Sequence, residues 1–288
     1  MSNKATEKEI RHWLDSLRVE PGTKPKLHKR DPASHPKKLS HENSAPSIEA
    51  SITELDRLQY LLYASNQASM LIVLQGRDGA GKDGTIRHVL TGMNPQGARV
   101  AAFKQPTPRE AARDFLWRAH VAAPARGEVV IFNRSHYEDV LVVRVHDLAP
   151  KSVWKKRYDQ INEFEALLAA NGTVVLKFFL DISPDEQLER FRRRLEDPAR
   201  NWKISQSDYT EREYWDAYTD AYEDALARCS TAHAPWYVIP SNHKWVRNLA
   251  VARIIADHLE AMKLKTPAVH VDLDDIRRRY HAAVTSGE

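Results

Sequence analysis

The sequence predicts a three-layer α/β fold on a parallel five-stranded sheet, and three observations carry that expectation. Five short apolar segments, each rich in β-branched or aromatic residues, recur from Met70 onward. Longer stretches with helical periodicity separate them. The first segment runs straight into a glycine-rich turn with a lysine, the join expected where a strand feeds a helix through a phosphate-binding loop. The expected strands are 71–75, 99–103, 129–133, 174–180 and 236–239. Continuous apolar runs of this length suit strands covered on both faces. The expected helices are 82–91, 108–120, 151–170, 184–196, 208–228 and 244–262. Strands alternating with helices require crossovers, which make the sheet parallel. Ser183 and Pro184 form a start signal for the fourth of these helices, as cap and first helical residue. Residues 1–66 read differently, with His28-Lys29-Arg30-Asp31-Pro32, Pro36, Lys37-Lys38 and Pro46. They are expected to form an N-terminal extension, an extended arm with helical patches near 4–17 and 51–66. The phosphate-loop domain then spans 67–265, and 266–288 is a C-terminal tail. No internal repeat interrupts this plan.

With 288 residues, 42% hydrophobic and 28% charged, the chain has room for one large α/β domain with extensions or for two small domains. The longest apolar-rich stretch, 173–180, is broken by Lys177 and is far too short to cross a bilayer. The N-terminal MSNKATEKEI lacks the apolar core of a secretory signal. The single cysteine, Cys229, excludes an internal disulfide framework and fits a reducing compartment. The expectation is a cytoplasmic protein without a membrane partner. Net charge is only +4, so positive charge matters by its location. Arg190, Arg192, Arg193, Arg194, Arg200 and Lys203 crowd one stretch, interrupted by Glu196 and Asp197. Such a run suits a solvated helix face as readily as a polyanion partner.

After the first strand come Gly76-Arg77-Asp78-Gly79-Ala80-Gly81-Lys82-Asp83-Gly84-Thr85, in which Gly76, Gly81 and Lys82 fit G-x-x-x-x-G-K. In such a loop the backbone of Gly79, Ala80, Gly81, Lys82, Asp83 and Gly84 closes around phosphate oxygens at a helix N-terminus. Lys82 reaches the phosphates being exchanged. Asp83 stands where Ser or Thr usually holds Mg²⁺. The same stretch also spells G-x-G-x-x-G, the dinucleotide fingerprint. That fingerprint wants an acid at the end of the second strand, where this chain has Lys104. A purely structural glycine turn is the bland alternative. Asp78, among donors that favour an anion, makes sense beside a cation, so it is expected to help hold Mg²⁺ in place of position 83. The competing reading is a carboxylate that braces the loop.

The third strand ends in Asn133-Arg134-Ser135-His136-Tyr137-Glu138-Asp139. Ligands of open α/β sheets bind outside the carboxyl ends of strands, so Asn133, Arg134, Lys104 and the loop around Asp78 should converge. Arg134 offers a permanent charge and a fork shaped for phosphate; a structural ion pair with Glu138 or Asp139 is its alternative. His136 is read as a packed, hydrogen-bonded residue rather than a general base.

Six strings, GRDGAGKDGTI, FKQPTPRE, DFLWRAH, IFNRSHYEDVLVVRVH, DPARNWKISQSDYTEREYWDAY and APWYVIPSNHKWVRNLAVARII, together resemble the polyphosphate kinase 2 family over about 55–262. The resemblance implies a thymidylate-kinase-like P-loop fold with a helical lid at about 190–212, Mg²⁺ as cofactor, and inorganic polyphosphate as phosphate donor. By position, Asp78 and Lys82 match the family's loop acid and lysine, and Arg134 the arginine after the third strand. Asn133, where the branch acting on nucleoside diphosphates has Asp, makes the chain look like the class III branch accepting AMP as well as ADP. Arg200 departs from the usual lid lysine but keeps the charge. Relatives are commonly homo-oligomers, so a dimer or tetramer is expected.

Two polyanions must then meet, and no strong base is required because the attacking phosphate oxygen is already ionised. The expected roles are Lys82 and the loop backbone at the transfer point, and Asp78 at Mg²⁺, with Asn133 and Glu138 through water. Arg134 and Lys104 bind phosphates, while Arg118, Arg190, Arg193, Arg194 and Lys203 track polyphosphate or close over it. An ATP-dependent small-molecule or nucleoside monophosphate kinase is the nearest alternative. A GTP switch lacks its Asn-Lys-x-Asp motif here. No nucleic-acid partner is expected, although Trp202 and Tyr209 flank the lid.

Overall fold

A computed structural model describes residues 3–286. The chain begins with α1 (Asn3–Ser16) and α2 (Ala45–Ser65), then enters β1 (Ser69–Gly76) and α3 (Lys82–Leu90). β2 (Ala98–Ala102), the short α4 (Pro108–Ala111) and α5 (Trp117–Ala122), β3 (Val129–Asn133) and α6 (Val142–Val145) follow. Then come α7 (Lys151–Ala170), β4 (Thr173–Asp181), α8 (Pro184–Glu196) and α9 (Gln206–Thr210). α10 (Trp215–Cys229), β5 (Trp236–Pro240), α11 (Lys244–Ala261) and α12 (Leu273–Ser286) complete the order.

The five strands form one parallel sheet in the order β2-β3-β1-β4-β5. The chain leaves β1 toward one edge for β2 and β3, then toward the other for β4 and β5. The carboxyl end of β1 therefore lies at the switch point, where a crevice opens in such sheets. Alternate β1 residues serve two cores. Met70, Ile72 and Leu74 face α1, α2, α3 and α11, whereas Leu71 and Val73 face α5, α7 and α10. That two-sided burial is why β1, β3 and β4 read as unbroken apolar runs, whereas β2, at one edge, is largely exposed.

Three expectations are revised. The helix expected at 108–120 is two short helices, because Asp114 turns its carboxylate onto the Leu116 N–H (3.0 Å) and competes with the helical ladder. The helix expected at 208–228 is interrupted by a 3₁₀ turn at Glu211–Tyr214 and restarts at Trp215. Of the stretch 1–66, expected as an extended arm, the described residues from 6 onward are built into the domain. Ile10, Leu14, Leu55, Leu58 and Leu62, at helical spacing, enter the same core as β1. Just after α1, the Val19 N–H donates to Trp236 O (2.9 Å) and Val238 donates to Leu17 O (2.8 Å), which covers the open edge of β5. Near the C-terminus, α12 leaves Leu273, Ile276, Tyr280 and Val284 exposed. No helix among the described residues is long and apolar enough to cross a membrane.

Candidate active site

β1 delivers the chain to the glycine turn, and α3 starts at Lys82 with Gly81 as its cap at φ +104°. Only glycine adopts that backbone without strain, and a Cβ there would collide with the Arg247 guanidinium. The Arg247 guanidinium therefore lies directly against the turn, and a side chain at position 81 would have to displace it. Lys82 lies over the turn, its Nζ donating to Gly76 O (2.7 Å) and standing 3.7 Å from Asp78 Oδ1. Burial pushes the lysine below its ordinary pKa, with Asp78 acting against that fall. For Asp78, burial acts to raise the carboxyl, but Lys82, Arg134 and Arg194 outweigh it and hold the group below its usual range.

Two buried arginines flank the turn in different ways. Arg190 spends every donor: on Glu186, on the carbonyls of Gly79 (2.8 Å) and Ala80 (3.1 Å), and on those of Ser241 and Asn242. Among the described residues the guanidinium of Arg247, 3% exposed, hydrogen-bonds Asn248 Oδ1 (2.9 and 3.2 Å) and, weakly, Ala80 O (3.4 Å). Its burial pushes the guanidinium down to about 10, Arg190 adding to the fall. Lys244 and Arg247 both occupy the first turn of α11, the helix end that already carries positive potential. A cation so placed, beside a second helix N-terminus at α3, is the electrostatic arrangement that favours an anion.

These groups line a cleft of about 700 Å³ that also takes in Arg193 and Arg194 from the last turn of α8 and Lys203 from the segment after it. A second cleft of about 710 Å³ lies beyond the end of β3, with Lys104, Arg118, Glu138 and Asp139 on its walls. Asn133 and Arg134 belong to both clefts. Asn133 Nδ2 donates to Asp83 Oδ1 (3.0 Å), while Arg134 Nη2 donates to Asp78 Oδ1 (3.0 Å) and Nη1 stands 3.9 Å from Glu138. Burial raises the Glu138 carboxyl against the pull of Arg134 and Lys82. The arrangement can hold two anions on either side of one arginine.

A family model for Polyphosphate kinase 2 matches residues 38–267. The chain belongs to the polyphosphate kinase 2 family. It is 54% identical over 213 residues to an "AMP/ADP-polyphosphate phosphotransferase" of Meiothermus ruber, covering 74% of this chain and 80% of that one. It is 43% identical over 279 residues to an "ADP-polyphosphate phosphotransferase" of Rhodopseudomonas palustris, covering 91% of this chain and 96% of the relative. The crystal structure of Polyphosphate Kinase 2 from Arthrobacter aurescens TC1 superposes with a TM-score of 0.90 at 40% identity, over 93% of this chain and 96% of that chain.

Within this polyphosphate kinase 2 fold, the residues expected at the site distribute as follows. Asp78, Lys82, Asn133, Arg134, Asp83 and the loop glycines come together. Lys104 and Glu138 face the second cleft. Arg118 lies on the wall of that cleft, donating to the Lys104 carbonyl (2.8 Å) and standing 3.8 Å from Asp139. Arg190 is corrected from a lid base to a brace at the cleft's inner edge, because α8 packs Gln187, Arg190 and Phe191 on the turn 78–80. Gln187, one turn before, likewise donates to Asp78 O (2.7 Å). Arg193 pairs with Glu189 (2.8 Å), Arg194 lies over the Phe191 ring and Lys203 over Trp202, all three on the cleft wall. His136 is buried, away from either cleft.

The sequence reading missed Arg247, Lys244 and Gln187. The first two stand at i, i+3 in the opening turn of the helix after β5, a spacing that puts them on one face. That signal was present but did not say that the face meets the loop.

Proposed function

We propose that the chain transfers phosphate between inorganic polyphosphate and AMP or ADP, with Mg²⁺ as cofactor. The observation that carries this reading is Arg134, whose guanidinium lines both anion-favouring clefts at once. One cleft, bounded by the glycine turn and by Arg193, Arg194 and Lys203, suits a long polyanion. The other, bounded by Phe103, Val142 and Leu148 as well as Lys104, suits a nucleotide, with apolar walls for the ring face of the base and a cation for its phosphate end. The names of the relatives from Meiothermus and Rhodopseudomonas support the substrate pair, and the neutral Asn133 supports AMP alongside ADP.

The residues present fit Mg²⁺ of a particular kind. Among the described residues no three carboxylates or imidazoles gather into a metal cage. Mg²⁺ typically takes one or two carboxylates and completes its shell with water and phosphate oxygens. Asp78, about one-third exposed at the cleft mouth, fits that role, with Asn133 and Glu138 acting through water. Bound there, Mg²⁺ would draw charge off the phosphates and lessen their repulsion. Lys82 and the turn backbone orient the donor phosphate, and Arg134 holds the two phosphates in line. Arg193, Arg194 and Lys203 close the donor side and exclude water as a rival acceptor. The nucleophile is an ionised phosphate oxygen, so no side chain need take a proton.

We read the protein as a cytoplasmic homo-oligomer. The buried free thiol of Cys229 and the exposed apolar residues of α12 support the two parts of that reading. The deciding assay incubates the protein with Mg²⁺ and polyphosphate, and either AMP or ADP, and follows ADP and ATP formation. Phosphorylation that requires ATP and ignores polyphosphate would overturn the assignment.

A further inference from the structure

The turn that carries Arg134 and Glu138 rests on a buried polar cluster that lines neither cleft. Lys177 stands in the middle of β4 and Glu165 on α7, both without solvent exposure. The Lys177 ammonium donates to a Glu165 carboxylate oxygen, to the Tyr137 hydroxyl (3.0 Å) and to the Cys229 carbonyl (2.6 Å), which uses all three of its protons. The other Glu165 oxygen accepts from the Tyr137 hydroxyl (2.8 Å) and lies 3.3 Å from His136 Nε2. Residues two and three after Arg134 are therefore tied to both α7 and β4. From the opposite side, Gln75 of β1 donates to Ser135 Oγ (3.0 Å), which also accepts from the Tyr137 N–H (3.1 Å).

Two independent features indicate what this cluster is for. Arg134 has φ +59°, in the left-handed region that a residue with a Cβ adopts only when its surroundings over-determine it. Besides its own N–H bond to Leu74 O (3.1 Å), the bonds of Ser135, His136 and Tyr137 are what hold the chain there. A buried ion pair is also a poor source of stability, since desolvation of both charges offsets their attraction and apolar residues of similar volume commonly do as well. What apolar residues cannot do is fix the direction of the Tyr137 and His136 side chains.

We propose that Glu165 and Lys177 are positioning residues for phosphate transfer. Acting through His136 and Tyr137, they keep Arg134 in its strained backbone and aim Arg134 and Glu138 at the wall shared by the two clefts. This rests on the phosphotransfer reading above.

The test compares Glu165→Gln, Tyr137→Phe and the pair Glu165→Leu with Lys177→Met, each alone and combined with Arg134→Lys. It measures kcat, KM for polyphosphate and for ADP, thermal unfolding, and amide hydrogen exchange of residues 134–139 without substrate. The expected result is a kcat loss of about 10-fold or more with each KM within about 2-fold, and faster exchange at 134–139. The Leu/Met pair leaves the Tyr137 hydroxyl and the Cys229 carbonyl without Lys177, so it should melt below the parent, but its kcat, measured well below that melting temperature on folded protein, should fall with the other variants'. On the Arg134→Lys background the further loss should shrink to less than about 2-fold, because both changes act on one group. A folded variant with parental kcat, or losses that multiply on that background, overturns the proposal. If Glu165→Gln fails to fold, Tyr137→Phe and the Leu/Met pair carry the same comparison. A parent protein inactive with polyphosphate would sink the phosphotransfer reading alone. Positioning is then still read by exchange at 134–139, and unchanged exchange in the Leu/Met pair overturns it.

Discussion

Arg247→Met should make the free protein more stable and the enzyme worse. The guanidinium sits buried with no carboxylate partner, held at about 10 by burial and by Arg190. Against an ordinary arginine near 12.5, that depression is worth about 3 kcal/mol against the charged form. Its compensations are the bonds to Asn248 and a long one to Ala80 O, together worth about 2 kcal/mol net at most. Methionine keeps most of the volume against the glycine turn without the charge. The balance is a gain of about 1 kcal/mol, or about 2 °C in melting temperature for a chain of this size. A bound phosphate loses a charge-assisted donor by the same change, so polyphosphate affinity should fall about 10-fold or more. Thermal unfolding with and without polyphosphate reads both effects, and polyphosphate should stabilise the parent more than the variant. A lower melting temperature with unchanged polyphosphate affinity would refute this account and make Arg247 a structural residue of the loop.

Lys82→Ala should cut kcat by about 100-fold or more while leaving the fold intact by circular dichroism, because it removes the ammonium from the turn without touching the core; turnover near normal would remove Lys82 from the site. Asn133→Asp should weaken use of AMP more than of ADP, since it sets a second carboxylate beside Asp83 at the shared wall of the clefts; equal effects on the two acceptors, measured with polyphosphate as sole donor, would count against the AMP-accepting assignment. Asp181 is buried at the end of β4 and its carboxyl is pushed up to about 6 by burial, against the pull of Arg77 and Arg30. Its folded value lies above its unfolded one of roughly 3.9, so it favours the fold at low pH and loses that contribution as pH rises through about 4 to 6, by about 3 kcal/mol. Asp181→Asn should therefore be more stable than the parent at pH 7 and similar to it at pH 4, by denaturant unfolding. An equal difference at both pH values would exclude this titration.

Much of the fold was legible because its signals are local. The apolar runs at β1, β3 and β4 reflect burial on both faces, and Ser183-Pro184 marked the start of α8 to the residue. The glycine turn announced itself through spacing alone. The breaks at 112–116 and 211–214 were not legible, since each depends on where a polar side chain finds a partner. For Glu211 those partners are His146 (3.0 Å) and Tyr218 (2.8 Å), one of them far off in sequence. The integration of residues 6–66 was hidden for a related reason: its apolar positions sit among Pro and Lys, and only the open edge of β5 gives residues 17–19 a strand to pair with.

By itself the sequence determined most of the elements, the parallel sense of the sheet, and a set of anion-binding side chains at strand ends, because periodicity, glycine spacing and residue chemistry act over a few positions. It could not assign charges that look alike in a string. Arg190, Arg193 and Arg194 lie within one and a half helical turns and all border the cleft, yet the first spends its donors on four backbone carbonyls and Glu186, whereas Arg193 pairs with Glu189 and Arg194 lies over Phe191. Which of them faces a phosphate, and that Arg247 joins them from a helix some fifty residues onward, was decided by tertiary packing. A charge acquires its role from the partners that surround it, and those partners come from segments that meet only once the sheet has closed.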